Sequence, residues 1–293
     1  MIDPIPPRPD QSAQWLPPVT GTGQPPAPGV ATPGGQWQSR PPPPPPDRDR
    51  FGIRKRDARP QATWKWWQAV LVFFLGLVVA GMIGAGVAAV LPSGQSFFWI
   101  GILGEFVPVL VLAGWLQMFH KGWVKVVGLP VRVWREVGAG MVGGVLVYLI
   151  AGIGIGAILS ALFDLISGGG VQTPQQLPGE LSTSEILLAI LLAVVSAPIC
   201  EEFFFRGVLF RAIRARRSYW TAAVGSSLLF GFAHYGPDPD SGLGGAFLLV
   251  TMMFFVGFGL SFVYERRGNI VAPMVAHATF NTIGLILIIG SSR

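Results

Sequence analysis

The sequence predicts an all-α membrane protein, a polytopic bundle of about seven transmembrane helices with a disordered, proline-rich N-terminal tail. Two observations lead to this class. The chain of 293 residues is 51% hydrophobic and only 12% charged, which is about half the charged share of a soluble domain. Its apolar runs are long and lack the strict alternation of a membrane β-barrel. Water-soluble fold classes are therefore excluded.

The N-terminal segment, residues 1–62, is predicted to be a disordered cytoplasmic tail. Of the 26 prolines in the chain, 17 lie in residues 1–60, including the run Pro41–Pro46. A segment of this composition buries too little apolar surface to fold. It also lacks the apolar core of a cleavable signal peptide. We interpret it as a solvated tether, and the alternative is a docking site for a proline-reading partner.

Seven apolar runs come close to the length that crosses a bilayer as a helix, about 20 residues. They are residues 68–91, 97–119, 137–163, 184–210, 219–236, 244–264 and 269–290. The first three form an N-terminal group within residues 63–183, and the last four form a core within residues 184–290. Glycine is frequent inside the runs, which is typical of membrane helices that pack closely together.

The segments that flank these runs alternate in charge. Lys and Arg precede the first run and follow the second, fourth and sixth runs, whereas the other loops contain neither residue. The positive-inside rule then predicts a multi-pass protein with its N-terminus in the cytoplasm and its C-terminus outside, and we expect it in a bacterial-type cell membrane. The same distribution accounts for the net charge of +6, so we expect no nucleic-acid partner.

Strongly polar residues lie well inside three of the C-terminal runs, where each of them is costly in lipid. They are Glu201, Glu202, Arg206, His234, His277 and Asn281. Counted from the cytoplasmic ends of their helices at about 1.5 Å per residue, they lie about 15–25 Å deep. Three helices therefore bring carboxylate, imidazole and amide groups into one layer of the membrane.

The two adjacent glutamates are predicted to have different roles. Glu202 and Arg206 are four residues apart, so they share a helix face and can pair. Glu201 points about 100° away around the helix and is the better candidate for a general base. The Glu202–Arg206 pair has an equally acceptable structural interpretation, as an ion pair that holds helices together.

Peptide hydrolysis needs an activated water and a group that stabilises the oxyanion, and these residue types can supply both. His234 can share the water with Glu201 or bind a metal. His277 and Asn281, four residues apart on one face, can donate hydrogen bonds to the oxyanion or complete a metal site. Glu201, His234 and His277 together form an acceptable set of ligands for Zn²⁺ or another divalent metal.

Three further residues receive structural interpretations. Glu105 lies near the outer end of the second run, close to Pro108, and we interpret it as interfacial or as a packing residue. Cys200 is interpreted as a small buried apolar residue. His120 is expected to be a solvated residue at the end of its helix.

The motifs also resemble a known family. "EEFFFR" fits Glu-Glu-x-x-x-Arg, "FGFAH" fits Phe-x-x-x-His, and "HATFN", preceded by "NIVAPMVAH", fits His-x-x-x-Asn. In this order on successive spans they resemble the CPBP intramembrane proteases, which include the CAAX prenyl endopeptidases and the bacterial Abi group linked to bacteriocin processing and self-immunity. The resemblance covers about residues 184–290.

The resemblance implies a helical membrane endopeptidase that acts on a peptide or protein substrate, with or without a prenyl group. Its motif residues here are Glu201, Glu202, Arg206, His234, His277 and Asn281. The family is labelled a metalloprotease, but a metal-free mechanism, in which Glu and His activate water, is also held for it. Both mechanisms stay open at this point.

Two other classes of function also fit the sequence. Buried Glu, His and Arg line proton or ion pathways in transporters, although the inverted repeats common in transporters are not evident here. A catalytically silent scaffold with a partner-docking tail is the third interpretation. The intact motifs favour the protease.

Overall fold

The computed structural model describes residues 30–31, 37–38, 53, 59–130, 132–168, 181–235 and 241–291. The chain divides into two compact units, Met1–Pro46 and Asp47–Arg293. In the first unit the described residues form a short antiparallel pair, β1 Val30–Ala31 with β2 Trp37–Gln38. The rest of that unit lies outside the described residues, so the disorder of the tail stays a prediction.

The described residues of the second unit are helical apart from short connections. The first helices are α1 Trp66–Val90, α2 Ser93–Phe119, α3 Trp123–Val127, α4 Val133–Val147, the π-helical segment π1 Tyr148–Ile155, and α5 Gly156–Ser167. They are followed by α6 Thr183–Ile190, π2 Leu191–Ser196, α7 Ala197–Glu202, π3 Phe203–Phe210, α8 Arg211–Arg214, α9 Tyr219–Ala233, α10 Gly242–Arg267 and α11 Val271–Ser291.

Six helices in the described part of the chain are long and apolar enough to cross a membrane. They are Trp66–Val90, Ser93–Phe119, Val133–Ile166, Thr183–Arg214, Gly242–Arg267 and Val271–Gly290. The predicted all-α membrane bundle is therefore confirmed. The span predicted over residues 219–236 is the helix α9. It has 15 residues, whereas a helix that crosses the bilayer needs about 20. The orientation of the bundle in the membrane stays a prediction.

Local sequence signals set the ends of the helices that carry the polar motifs. Ser182 and Glu185 form a capping box at the start of α6, where the Ser182 N–H donates to Glu185 Oε2 at 2.8 Å. Ser218 caps α9 by accepting a hydrogen bond from the Thr221 N–H at 3.2 Å. Gly268 ends α10 with a φ of +71°, a left-handed conformation that glycine adopts without strain.

Glycines allow α4 to pack directly against α11, as the sequence predicts for close helix contacts. A Cβ atom added to Gly140 would lie only 2.6 Å from the carbonyl oxygen of Ala272. Gly144, one turn further along α4, faces the backbone of Ala276 in the same close manner. Because Ala276 precedes His277, this contact fixes the position of the histidine in the bundle.

Two arginines at the C-terminal end of the fourth span fix that end of the helix that carries the glutamates. Arg211 is fully buried, and its guanidinium donates to the carbonyl oxygens of Val126 at 3.0 Å and Pro60 at 2.6 Å. Arg214 pairs with Glu265 at the end of α10, at 3.2 Å. These arginines, predicted only as markers of orientation, also bind neighbouring segments to the helix that carries Glu201 and Glu202.

Candidate active site

The two glutamates lie on α7, a six-residue α-helical turn between two π-helical segments, π2 and π3. A π turn contains an extra residue, and such turns occur frequently at functional sites. The wider turns change the direction of side chains on either side of α7. The rotation of Glu201 and Glu202 therefore differs from that of a uniform α-helix.

Glu202 lies in a buried network of charged and polar groups. Its Oε1 accepts a hydrogen bond from Arg206 Nη1 at 2.7 Å and lies 3.1 Å from His277 Nδ1. Arg206 Nη2 donates to the carbonyl oxygen of Gly257 at 2.8 Å, and its guanidinium lies 4.6 Å from the ring centre of Phe230. Glu202, Arg206 and His277 are 0%, 1% and 3% exposed. The expected pairing of Glu202 with Arg206 is present, and His277 joins it.

Glu201 faces a different histidine. Its Oε2 is buried without a hydrogen-bond partner and lies 4.0 Å from Nε2 of His234. The other ring nitrogen of His234, Nδ1, lies 2.8 Å from the carbonyl oxygen of Phe230. A carbonyl oxygen only accepts, so Nδ1 carries the hydrogen of this bond. In the neutral ring Nε2 is then free to accept a hydrogen bond on the side that faces Glu201.

Asn281 binds the backbone of the helix that carries the glutamates. Its Nδ2 donates to the carbonyl oxygen of Ala193 at 2.7 Å. That oxygen lacks a helical donor, because Ala197 donates to Leu192 and the next residue, Pro198, has no N–H. Asn281 thus supplies the missing hydrogen bond, and one of its two amide hydrogens is engaged in it.

The predicted position of Glu105 is wrong, whereas its role stays a prediction. Its helix, α2, begins at Ser93, four residues before the predicted span, so Glu105 lies near the middle of 27 residues and not near one end. It is partly buried there. An acidic residue inside an apolar run is by default a hypothesis of function.

The site brings the predicted metal ligands only partly together. Among the described residues, no three His, Cys, Asp or Glu side chains converge closely enough to hold a metal ion. Glu201 faces His234, whereas His277 is engaged with Glu202. A catalytic zinc site normally has three protein ligands. We therefore derive no step through a metal, and the metal-dependent and the metal-free mechanism both stay predictions.

Two relatives each match about a third of the chain. A segment of 100 residues is 32% identical to "Putative membrane peptidase YdiL" of Bacillus subtilis (strain 168) and covers 34% of this chain and 37% of that protein. A segment of 107 residues is 30% identical to "Uncharacterized 24.3 kDa protein" of Escherichia coli and covers 36% of this chain and 46% of that one. The matches thus span less than half the length of these relatives.

No solved structure matches the chain significantly. Residues 183–283 match the family model described as Type II CAAX prenyl endopeptidase Rce1-like. The matched range holds both glutamates, Arg206 and the histidine and asparagine motifs, and it excludes Glu105. Residues 183–283 are therefore similar to the Rce1-like CAAX prenyl endopeptidases, which supports the resemblance of the motifs to the CPBP group.

Proposed function

We propose that this chain is an intramembrane endopeptidase that hydrolyses a peptide bond at or near the cytoplasmic side of the membrane. The observation that carries the proposal is the buried Oε2 of Glu201, which lacks a hydrogen-bond partner and faces Nε2 of His234 at 4.0 Å. This separation is too long for a direct hydrogen bond and short enough for one water molecule to bind both groups. A carboxylate and an imidazole on one water form a general-base pair.

In the proposed reaction Glu201 takes a proton from the water as the water oxygen attacks the scissile carbonyl carbon. His234 positions the water by accepting its second hydrogen at Nε2, and the bond from Nδ1 to Phe230 keeps the ring in this orientation. The C–N bond then breaks, and Glu201 returns the proton to the leaving nitrogen. A positioned general base typically contributes about 10²–10⁴-fold to the rate.

The oxyanion requires hydrogen-bond donors, and Asn281 and His277 are the two predicted candidates. Asn281 Nδ2 keeps one hydrogen beyond the one it gives to Ala193. His277 donates through Nδ1 to the Glu202 carboxylate, so its Nε2 becomes a donor only when the ring holds a second proton. We therefore assign Asn281 the primary oxyanion role in the proposed mechanism.

Glu202 and Arg206 have a supporting role in this proposal. Their charges compensate each other in a buried site, and Arg206 extends the connection to Gly257 of α10. The pair holds α7, α10 and α11 together around Glu201 and does not itself contact the reacting water.

The substrate class follows from the family and from one relative. The family model is that of CAAX prenyl endopeptidases, and a relative carries the name of a membrane peptidase. We propose a membrane-anchored peptide or protein as substrate. A prenyl group on the substrate is compatible with the proposal but not required by it.

A cleavage assay with the full chain in lipid vesicles tests the proposal. The probes are a prenylated peptide ending in CAAX, the same peptide without lipid, and a library of membrane-protein segments, with products identified by mass spectrometry. We expect cleavage by the wild type and a loss of about 10²–10⁴-fold in Glu201→Gln. Asp164→Asn, which removes an exposed carboxylate on α5, is the matched control and should cleave like the wild type.

Two outcomes contradict the proposal. Equal cleavage by the wild type and Glu201→Gln would assign the activity to a contaminant. A proton or ion flux that Glu201→Gln abolishes, without cleavage of any probe, would favour the transporter interpretation.

The same assay with a chelator tests whether a metal is needed. A rate unchanged by chelation supports water activation by Glu201 and His234 alone, whereas loss of activity that Zn²⁺ restores requires a metal in the mechanism.

A further inference from the structure

An apolar groove runs along the bundle between α4 with π1 on one side and α10 on the other. Its volume is about 390 Å³, which is within the range of small-molecule sites. The residues that line it recur at intervals of three and four, from Ala139 onward on one wall and from Phe255 onward on the other. The two walls are therefore the facing stripes of two helices.

The groove is closed on its inner side and open on its outer side. A Cβ atom added to Gly259 would lie 2.8 Å from Cγ2 of Val147, so α4 and α10 touch along the floor. Leu146 and Ile150, which also line the groove, are 51% and 62% exposed. Both residues belong to the membrane span Val133–Ile166, so the surface that they expose faces hydrocarbon. An acyl chain therefore matches the chemistry of the walls.

One end of the groove is basic. Arg266 and Arg267 line it there. Arg135 lies one turn before Ala139, on the same face of α4. The carboxylate of Glu136 accepts two hydrogen bonds from Arg267, at 2.7 Å each. Three guanidinium groups and this one carboxylate add up to a net charge of +2, so the complementary headgroup is a phosphate on a lipid that is itself negatively charged.

The basic end lies where the polar surface of a membrane is expected. Trp134, in the first turn of α4, is 84% exposed, and tryptophan is enriched at membrane interfaces. From Arg267 back to Phe255 the groove follows α10 for about 18 Å, at about 1.5 Å per residue. One leaflet contributes half of the hydrocarbon core, which is about 15 Å. A lipid with its headgroup at the arginines thus has one acyl chain along the whole groove.

We propose that this groove binds an anionic phospholipid from the leaflet on the predicted cytoplasmic side, with one acyl chain between α4 and α10 and the phosphate on Arg266. Arg266 is exposed at the end of the groove, whereas Arg267 is engaged by Glu136. The inference does not depend on the proposed protease activity.

The proposed lipid site is separate from the candidate active site. The carbonyl oxygen of Gly257 accepts the hydrogen bond from Arg206. Phe255 and Gly259 line the groove, and each is two residues from Gly257, about 200° away around α10. A lipid in the groove therefore supports α10 from the side opposite Arg206, and it does not compete with a substrate at Glu201.

Native mass spectrometry of the delipidated full chain in detergent tests the headgroup contact. The probes are phosphatidylglycerol and phosphatidylcholine with the same acyl chains. One arginine near an anionic headgroup contributes about fivefold in affinity, so Arg266→Gln should bind phosphatidylglycerol about fivefold more weakly than the wild type. Arg217→Gln, the matched control, removes an exposed arginine outside the groove and should bind like the wild type. Phosphatidylcholine has no net charge and should bind the wild type more weakly.

A second pair of variants tests the acyl chain. Ala139→Phe places a ring inside the groove, whereas Val142→Phe adds the same ring to α4 at an exposed position outside the lining residues. Ala139→Phe should lose most of the binding of both lipids, and Val142→Phe should keep it. Phosphatidylglycerol should also raise the melting temperature of the wild type, because a ligand of the folded state stabilises it, and Ala139→Phe should lose this shift.

Four results would overturn the proposal. They are equal binding of phosphatidylglycerol by Arg266→Gln and Arg217→Gln, equal binding by Ala139→Phe and Val142→Phe, equal affinity of the wild type for the two lipids, and displacement of phosphatidylglycerol by a farnesylated peptide, which would assign the groove to a substrate. If a groove variant is unfolded, salt decides with the wild type alone. Raising the salt from about 0.1 M to about 1 M should weaken the binding of phosphatidylglycerol, and binding that salt leaves unchanged would exclude the arginine contact.

Discussion

Asn281 donates a hydrogen bond to the carbonyl oxygen of Ala193 at 2.7 Å and so connects α11 to the π-helical turn before the glutamates. The carbonyl is free to accept because Pro198, five residues later, has no N–H to give. A proline in one helix thus creates an acceptor that an asparagine in another helix satisfies. The asparagine motif has a structural function here as well as the proposed oxyanion function.

Replacing Asn281 should therefore reduce stability as well as activity. Asn281→Leu leaves the partly buried Ala193 carbonyl unsatisfied, which costs about 1–3 kcal/mol of unfolding free energy. In a Pro198→Ala background the new N–H can donate to that carbonyl, so the same substitution should cost measurably less. The measurement is a double-mutant cycle by unfolding in detergent, in which a coupling near zero would contradict the explanation.

The two neighbouring glutamates should respond differently to the same substitution. Glu202→Gln leaves the buried Arg206 without its counter-charge, and breaking a buried ion pair costs about 3–5 kcal/mol. Glu201→Gln should lower turnover while changing stability little, because Glu201 makes no such ion pair with an arginine in the described residues. Turnover and thermal unfolding of both variants in one detergent check this, and equal stability losses would contradict it.

Exchanging the charges of Glu202 and Arg206 should not restore stability. Arg206 also donates to the carbonyl oxygen of Gly257 at 2.8 Å. A carboxylate at position 206 would face that oxygen as a second acceptor. The double variant Glu202→Arg/Arg206→Glu should therefore be no more stable than Glu202→Gln when both are unfolded under the same conditions.

The polar motifs show how far the sequence could predict the site. The Glu202–Arg206 pair follows from a spacing of four residues, which places two side chains on one helix face even where the turn widens. The sequence predicts that His234 shares a water with Glu201, whereas the contact of His277 with Glu202 could not be predicted. That contact depends on the rotation of α7 between two π turns.

A helix boundary limited the prediction at one other place. The apolar run predicts a span that begins at residue 97 and has Glu105 near one end, whereas α2 begins at Ser93. The polar residues Ser93, Gly94 and Gln95 hid the first turn from a count of apolar residues. The prediction of the all-α class depends on composition and on the length of the apolar runs. Neither changes much when a helix boundary moves by a few residues.

Two glycines of α4 provide a matched test of close helix packing. A Cβ atom at Gly140 would lie 2.6 Å from the Ala272 carbonyl oxygen, whereas one at Gly138 meets nothing within 4 Å. Gly140→Ala should destabilise the bundle by about 1–3 kcal/mol through overpacking. Gly138→Ala should be neutral or stabilising by about 0.5–1 kcal/mol, because alanine is the better helix former. Thermal unfolding of the two variants side by side is the measurement.

The start of the second unit should matter more than the proline-rich residues before it. Deleting residues 1–45 removes no predicted span and should leave membrane insertion and cleavage unchanged. Trp64, by contrast, is fully buried and its Nε1 donates to the carbonyl oxygen of Val208 at 3.1 Å. Trp64→Ala should cost about 3–5 kcal/mol. Loss of activity in the truncated protein, with normal insertion, would make the tail part of the enzyme.

His120, predicted to be solvated, lies partly buried just after the end of α2, where its Nδ1 is 2.8 Å from Thr63 Oγ1. Burial lowers the pKa of His120 below its ordinary value of 6.5. The folded state therefore prefers the neutral ring. The contribution of the neutral His120 ring to the free energy of unfolding is fully present above about pH 6.5. It is lost as the pH falls through the lowered pKa of His120.

The melting temperature of the wild type should accordingly fall between about pH 7.5 and about pH 5 by more than that of His120→Gln. Gln has an amide that can bond to Thr63 but no proton to gain in this range, so it removes the contribution of this one group. The rings of Trp64 and Trp115, at 5.7 and 4.6 Å from the imidazole, are aromatic neighbours that the neutral ring contacts. If the two proteins lose stability in parallel as the pH falls, the pH dependence arises from other groups and the position of His120 has no part in it.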